Sequence, residues 1–372
     1  MRSFITHVCI AMIVVMLILP GCSDAPIGPV ADPGVYSIVI GAVFHLTGPA
    51  SYWGSGERDA VVMAVDEANE RGGIEGRQIK LIIEDGKTDF VHTTSSLNKL
   101  IEVDRVSVII GPTWFGQAAA PIANVSGTVM ISPSTGVTVA RDRHFFNLWP
   151  SERQEVSPLV AYMASKGIRK VAIVYSQNDW SASMRDVFIA ESQLAKISVI
   201  KGFASSPDES DFRSIILDIK SLDADAVYAP FAFYPSQGAF SKQAEELNLS
   251  IPIFSSSGTQ NPDLVNSFPQ VEGTVYPYPV AGPGESDFVK RFKSRFNRDP
   301  SPSSAYAYDA ANMVIDAMRS GARSSEDFAS YLASVKDYAG VSNVMTFDQK
   351  TGRVIEKDYE MRRVEGGRFV KI

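Results

Sequence analysis

The side chains that could do chemistry in this sequence lie in short loops that follow apolar, strand-like runs. These loops are rich in aromatic rings, hydroxyls and amides, and they span residues 51–54, 111–117, 132–136, 177–181, 231–235 and 255–259. Aromatic walls suit an apolar ligand or a cation over a ring face, whereas hydroxyls and free backbone amides suit an anion. The loops therefore predict a binding site for a small organic molecule.

Aromatic residues dominate these loops. Seven of them are predicted to line the site: Tyr52, Trp53, Trp114, Phe115, Trp180, Phe231 and Tyr234. Any one of these rings could instead serve the hydrophobic core. Phe233 is the ring most expected in the core, because strand alternation places it opposite Tyr234.

The sequence lacks the common catalytic and cofactor signatures. It has no Gly-x-Ser-x-Gly, His-Glu-x-x-His or Cys-x-x-Cys motif and no Walker loop. The run Gly54-Ser55-Gly56 begins like a dinucleotide fingerprint, but Asp59 stands where the third glycine belongs. The histidines show no metal-ligand spacing, and His45 could either touch a ligand or serve the structure. We expect no catalysis, no metal and no cofactor.

The elements that would position the loops alternate along the chain. Strand-like runs occur at 37–44, 79–84, 106–110, 129–132, 170–175, 198–203, 226–230 and 251–255. Helical patterns occur at 57–71, 93–103, 117–125, 152–166, 182–195, 211–220 and 237–247. This alternation is typical of βαβ units and parallel sheets, whose carboxyl edge collects ligands. The series restarts after residue 150, which favours two sheets.

The first 35 residues are predicted to lie outside the fold. Arg2 and the apolar run 8–19 are typical of a signal peptide, and the run ends at Gly21-Cys22, which resembles a bacterial lipoprotein signal. The sequence thus predicts a signal peptide at 1–21, then a lipidated Cys22 and a flexible tether at 22–35. The protein would be extracytoplasmic and membrane-anchored. An uncleaved anchor or simple secretion is the alternative.

Charge and cysteine content further restrict the classes of partner and of fold that the sequence allows. Loss of Arg2 with the signal leaves 34 of the 35 basic residues against 42 acidic ones, a net charge of −8. Nucleic-acid binding would need a clustered basic patch, so we expect no nucleic acid. Cys9 and Cys22 are the only cysteines, so the mature chain has no disulfide and depends on a large core. We expect a monomer.

A series of short motifs runs in order along nearly the whole mature chain. It comprises 46–49 (LTGP), Gly54, Gly56, 64–69 (AVDEAN), 72–74 (GGI), 76–77 (GR), 84–85 (ED), 109–112 (IIGP), 120–123 (APIA), 131–134 (ISPS), 170–175 (KVAIVY), 307–310 (AYDA) and 347–348 (FD). With these motifs the chain resembles the type I periplasmic solute-binding proteins of the branched-chain amino-acid transporter (leucine-binding-protein-like) family.

The resemblance implies an α/β fold of two Rossmann-like lobes with parallel sheets, joined by a three-strand hinge. Lobe 1 would comprise residues 36–150 plus 280–338, and lobe 2 residues 151–279 plus 339–372. The last strands, 342–347 and 358–364, would both complete lobe 2. The chain would cross between lobes near 148–152, 276–281 and 337–342, which favours rigid-body closure around a ligand.

The resemblance also implies how a ligand is held. Amino-acid binders of the family hold the ligand carboxylate with the second and third loops, where Ser134 and Thr135 could donate from hydroxyls and Gly116 from its amide. Gly258 would contribute from a lobe 2 loop. The pair Trp114-Phe115 departs from the family's small hydroxyl residue, so we expect a ligand larger or more aromatic than valine, such as a carboxylate without an amine. Asp179 is a candidate partner for a ligand ammonium.

The implied function is that of a substrate-binding lipoprotein of an ABC-type importer, with a membrane permease and an ATPase as partners. It would capture a small organic solute, such as an amino acid or a related carboxylate or amide, by hinge closure. Two alternatives stay open: a ligand-sensing receptor of the same fold, and an enzyme on an α/β fold.

Overall fold

The structure is a computed structural model that describes residues 38–136, 143–280, 282, 284–348, 351–354 and 358–372. The predicted signal peptide, Cys22 and the tether lie outside these residues. No helix in the described ranges is long and apolar enough to cross a membrane.

Five parallel strands form the first sheet. They are β1 (Ile38–Phe44), β2 (Ile79–Asp85), β3 (Val108–Ile110), β4 (Val129–Ser132) and β5 (Phe145–Asn147), in the order β2-β1-β3-β4-β5. The connecting helices are α1 (Ser51–Glu70), α2 (Phe90–Asn98) and α3 (Gly116–Ser126). Strands β3 to β5 are buried throughout, as expected of parallel strands covered on both faces.

The second sheet starts with a second α/β series. Its strands are β6 (Lys170–Ser176), β7 (Ser198–Ser205), β8 (Ala226–Tyr228), β9 (Ile253–Phe254) and β10 (Val275–Pro279), all parallel. Its helices are α4 (Glu152–Ser165), α5 (Asp179–Leu194), α6 (Arg213–Ser221), α7 (Tyr234–Glu246) and α8 (Pro262–Ser267).

After β10 the chain returns to the first sheet through three helices, α9 (Glu285–Phe296), α10 (Ser304–Arg319) and α11 (Ser325–Ser334). Helix α10 packs along α1, and its residues Ala307, Ala310 and Val314 are fully buried in the same core cluster as β1. Helices that are distant in sequence therefore complete the core of the first sheet.

A short hairpin, β11 (Tyr338–Ala339) with β12 (Val344–Met345), follows α11. Met345, Phe347 and Val354 pack in the core of the first sheet, and the Phe347 ring lies 5.2 Å from that of Phe146. This corrects the prediction that 342–347 completes lobe 2, and with it the third crossing near 337–342. Apolar contacts with β5 decide the placement, which the strand pattern alone did not show.

The chain ends in the second sheet. Strands β13 (Tyr359–Glu365) and β14 (Arg368–Lys371) add to β10 in antiparallel fashion, giving the order β14-β13-β10-β9-β8-β6-β7. The predicted α/β class with two mostly parallel sheets is confirmed. The other lobe boundaries and the hinge stay predictions.

Candidate ligand-binding site

A cavity of about 310 Å³ lies where the loops at the carboxyl ends of the two sheets face each other. All six loops predicted from the sequence contribute to it. Its lining residues are Trp53, Phe90, Trp114, Phe115, Gln117, Ser134, Gly136, Trp149, Asn178, Asp179, Trp180, Pro207, Phe231, Ala232, Phe233, Ser257 and Gly258. A volume of this size holds a small organic molecule.

Trp114 reaches the cavity from a strained turn between β3 and α3. Its backbone is left-handed, with φ of 62°, a conformation that bulky residues rarely adopt. Two backbone hydrogen bonds stabilise the turn. The N–H of Phe115 donates to the carbonyl of Thr113 (2.7 Å), and the N–H of Gly116 donates to the carbonyl of Trp114 (2.9 Å). Such strain clusters at functional sites.

The Trp114 ring meets a ring from the second sheet. Its centroid lies 6.1 Å from that of Phe233, and the two planes are inclined by 30°. Phe233 therefore lines the cavity, and the prediction that it belongs to the core is wrong. Tyr234 takes the opposite face and packs beside the cluster around Leu264. The alternation correctly predicted that the two rings lie on opposite faces. It did not show that Phe233, rather than Tyr234, faces the cavity.

Three indoles form one continuous aromatic wall. The centroid of Trp53 lies 5.4 Å from that of Trp149 and 5.6 Å from that of Trp114, both in edge-to-face geometry. Trp149 in turn packs 5.2 Å from Tyr306 on α10. Packing fixes this wall, because Trp53 and Trp149 are only 6% and 4% exposed.

Trp180 closes the cavity from the second sheet. It lies in the first turn of α5, which Asn178 caps by accepting the N–H of Ser181 at 2.9 Å. Its indole rests against the backbone of Gly136 from the first sheet. A Cβ added at Gly136 would lie 2.7 Å from Nε1 and 2.8 Å from Cδ1 of Trp180, closer than any ordinary contact.

The loop after β4 uses its own donors internally. Ser132 Oγ accepts the N–H of Thr135 at 3.1 Å, lies 2.7 Å from the Thr135 hydroxyl and donates to the carbonyl of Pro112 at 2.9 Å. Thr135 is fully buried and does not line the cavity. Its hydroxyl and amide are hydrogen-bonded within the turn. They therefore do not face the cavity, although the predicted carboxylate-binding role would require it.

A buried glutamate lies behind the Ser134 side of the cavity. Glu57 on α1 is fully buried and accepts from Thr113 Oγ1 (2.5 Å), from Ser303 Oγ (2.6 Å) and from the side chain of Ser134. Burial disfavours the charged form and raises the pKa of Glu57 to about 7, although the hydroxyl donors pull it down.

A second buried glutamate lies behind the opposite wall. Glu155 on α4 accepts the N–H of Ser257 at 2.7 Å and also bonds to the Ser257 side chain. Burial raises the pKa of Glu155 to about 7, and the charge of Glu152 one helical turn away adds to the rise. Each sheet thus presents to the cavity a serine that is backed by a buried carboxyl group.

Other ionisable groups lie close by. Asp179 lines the cavity, while none of the described lining residues is Lys, Arg or His. The Arg353 guanidinium lies behind the lining and donates to the carbonyls of Gly136, Trp149 and Pro150. His45 packs behind Phe115 with ring centroids 4.7 Å apart, and burial lowers the pKa of His45 to about 4, so its ring is neutral at pH 7.

The structure brings seven of the eleven predicted site residues to the cavity: Trp53, Trp114, Phe115, Ser134, Trp180, Phe231 and Gly258. The other four do not line it. Tyr52 bonds through its hydroxyl to the carbonyl of Pro300 at 3.4 Å, Gly116 begins α3 under the Thr135 side chain, and Thr135 and Tyr234 face away.

Sequence reasoning missed Trp149, Phe90 and the two buried glutamates, whereas Gln117 and Asn178 lie in the predicted loops 111–117 and 177–181 but were not among the predicted site residues. Trp149 could have been found, since it follows a short apolar run just as the predicted loops do. Glu57 and Glu155 gave no signal, because each stands among polar residues on an amphipathic helix. Within the described ranges, no group of three or more His, Cys, Asp or Glu residues is arranged to hold a metal ion.

Comparisons with known proteins agree with this architecture. The family model described as "Periplasmic binding protein" matches residues 37–368. The Leu/Ile/Val-binding protein BraC3 of Rhizobium johnstonii is 24% identical over 352 residues, which cover 90% of this chain and 93% of that protein.

Solved structures share the fold at low identity. The branched-chain amino acid transporter substrate-binding protein LivJ of Streptococcus pneumoniae, in complex with isoleucine, superposes with a TM-score of 0.80 at 23% identity, covering 91% of this chain and all of that one. A solute-binding protein of an ABC transporter from R. palustris, in complex with benzoate, gives 0.79 at 20% identity, with coverage of 91% and 96%.

Proposed function

The chain belongs to the periplasmic binding protein family, and from that premise we propose that it is the substrate-binding lipoprotein of an ABC-type importer. It captures a small organic solute in the cavity between the two sheets and presents it to a membrane permease that an ATPase drives. The solute is bound without being chemically changed. Signal cleavage before Cys22 and lipidation of that residue keep the protein at the membrane on the extracytoplasmic side.

One observation supports capture above all others: the cavity wall is shared between the two sheets. Trp114 and Phe233 stack from opposite sides, and Gly136 and Trp180 touch from opposite sides. A ligand in the cavity therefore contacts both sheets at once, and its binding energy favours the arrangement in which the sheets approach each other. We propose that lobe 1 comprises 36–150 plus 280–354 and that the protein acts as a monomer.

Thermal unfolding tests the proposal directly. The mature chain carrying Cys22→Ser, which has no lipid, is unfolded against amino acids, aromatic carboxylates, short amides and aromatic amines. A ligand at 100 times its dissociation constant stabilises the folded state by about 2.7 kcal/mol, which raises the unfolding midpoint visibly. Isothermal titration of each compound that raises the midpoint should give one site per chain. If no compound raises the midpoint, the proposal of small-solute capture fails.

A further inference from the structure

Eight of the seventeen lining residues that the structure describes are aromatic, and Asp179 is the only Asp, Glu, Lys, Arg or His among the seventeen. The rings are Trp53, Phe90, Trp114, Phe115, Trp149, Trp180, Phe231 and Phe233. Each ring presents a negative face, and indole attracts a cation more strongly than the other aromatic rings do. Asp179 lies at the same cavity. A wall of this kind attracts positive charge and offers an anion no ionic partner.

The two serines of the wall offer acceptors rather than donors. Ser134 Oγ accepts the N–H of Trp114 at 3.3 Å, and its side chain also interacts with the Glu57 carboxyl group. Ser257 is bonded to Glu155 through both its hydroxyl and its N–H. When Glu57 and Glu155 are ionised they can only accept, so a serine hydroxyl bonded to either one donates to it and has only lone pairs left for a ligand. The matching ligand group is therefore a hydrogen-bond donor, and a carboxylate cannot be one.

The charges behind the wall act in the same direction. Glu57 and Glu155 each lie one serine away from the cavity, on opposite sides of it. The positive charge of Arg353 lies near Glu152, and its guanidinium donates to three backbone carbonyls. Glu57 and Glu155 are each partly ionised at pH 7, since the pKa of each is about 7, and the charged form stabilises a cation in the cavity and repels an anion. The hydroxyls of Tyr228 and Tyr359, which also lie near Glu155, are neutral at pH 7 as ordinary tyrosines are, and burial raises the pKa of each further.

We propose that the solute held in this cavity is an organic cation, in which an ammonium group is attached to an apolar or aromatic body. This inference rests on the proposed function of solute capture and gives the chemical class of the solute. The ammonium lies over the indole faces and donates to Ser134 or Ser257, while the body fills the remaining volume among the rings.

A series of compounds with one ring and different charge tests the inference on the unaltered protein. Benzylammonium, benzyl alcohol and benzoate are titrated into the mature Cys22→Ser chain, together with homologues in which one or two methylene groups are added, so that size does not decide the result. We expect each ammonium compound to bind at least tenfold more tightly than the matching carboxylate, with the alcohol in between.

Two outcomes overturn the inference. One is a carboxylate that binds as tightly as its matching ammonium compound, and the other is a series in which no ammonium compound binds. If an alcohol or a carboxylate binds in either case, the proposal of solute capture stands, and only the proposal that the solute is a cation is wrong. If no compound of this series or of the wider panel binds, the proposed function itself fails.

Substitution of the buried glutamates separates charge from shape. Glu57→Gln and Glu155→Gln keep the side-chain size, and each should lower the ammonium-to-carboxylate preference severalfold. Glu67→Gln on α1 is the matched control, because Glu67 bonds to Arg291 and Tyr308 away from the cavity and its removal should leave the preference unchanged. A thermal melt confirms that each variant folds. If Glu57→Gln and Glu155→Gln keep the same ammonium-to-carboxylate preference as the control Glu67→Gln, the proposed role of the buried charges is wrong.

Discussion

Because Gly136 contacts Trp180, a substitution of Gly136 should weaken ligand binding without lowering the stability of the fold. In Gly136→Ala the new Cβ would lie 2.7 Å from the indole nitrogen, whereas ordinary contacts begin at 3.4 Å, so the two loops must separate by roughly 0.7 Å. Overpacking of this kind costs about 1–3 kcal/mol. The two residues come from different sheets, so under the proposed closure only the approached, ligand-binding arrangement bears this cost. The affinity should therefore fall by about 5- to 150-fold.

Titration calorimetry on the variant, together with its thermal unfolding in the absence of ligand, measures both consequences. We expect a weaker affinity and an unfolding midpoint close to that of the parent. Gly258→Ala is the matched control, because it lines the same cavity and its Cβ would meet only Ser256 Oγ, at an ordinary 3.5 Å. The reasoning is refuted if Gly136→Ala binds as tightly as the parent, or if Gly258→Ala loses as much affinity.

Three further expectations concern the site, its buried acids and the corrected hairpin. Trp180→Ala should weaken ligand binding by at least tenfold, or about 1.4 kcal/mol, and an unchanged dissociation constant would remove this residue from the site. Burial raises the pKa values of Glu57 and Glu155 to about 7 from 4.5, so the folded state binds their protons more tightly. Stability should therefore fall by about 3 kcal/mol per group as the pH rises from 4.5 through 7, and denaturant melts of each Gln variant should show a smaller fall. Phe347→Ala should cost about 3–5 kcal/mol in equilibrium unfolding, whereas a loss under 1 kcal/mol would contradict its burial in the first core.

The fold could be predicted because its signals are local. Buried parallel strands such as Val129–Ser132 are apolar along their whole length, and each is followed by a helix-forming segment. The loops of the site were predictable for the same reason, since they follow those strands. The hairpin was not, because Met345 and Phe347 could complete either core and only their packing against β5 decides between them.

The chemistry of the site was less accessible to sequence reasoning. Glu57 is buried by partners as distant as Ser303, which is 246 residues away along the chain. A hydroxyl such as that of Ser134 looks like a free donor in the sequence, but in the structure the Glu57 carboxyl group lies behind it and competes with a ligand for that hydrogen bond. Residue types show which groups are available, whereas their hydrogen-bond partners decide what is left for a ligand.

The protein contains four tryptophans, and all four line the cavity: Trp53, Trp114, Trp149 and Trp180. Its tryptophan fluorescence, excited at wavelengths that tyrosine does not absorb, therefore originates entirely beside the proposed solute site. The spacing of 5.4–5.6 Å along the Trp149, Trp53 and Trp114 chain also couples their electronic transitions, which gives a near-ultraviolet circular dichroism signal sensitive to small ring movements. The unlabelled chain is thus an optical sensor of its own occupancy.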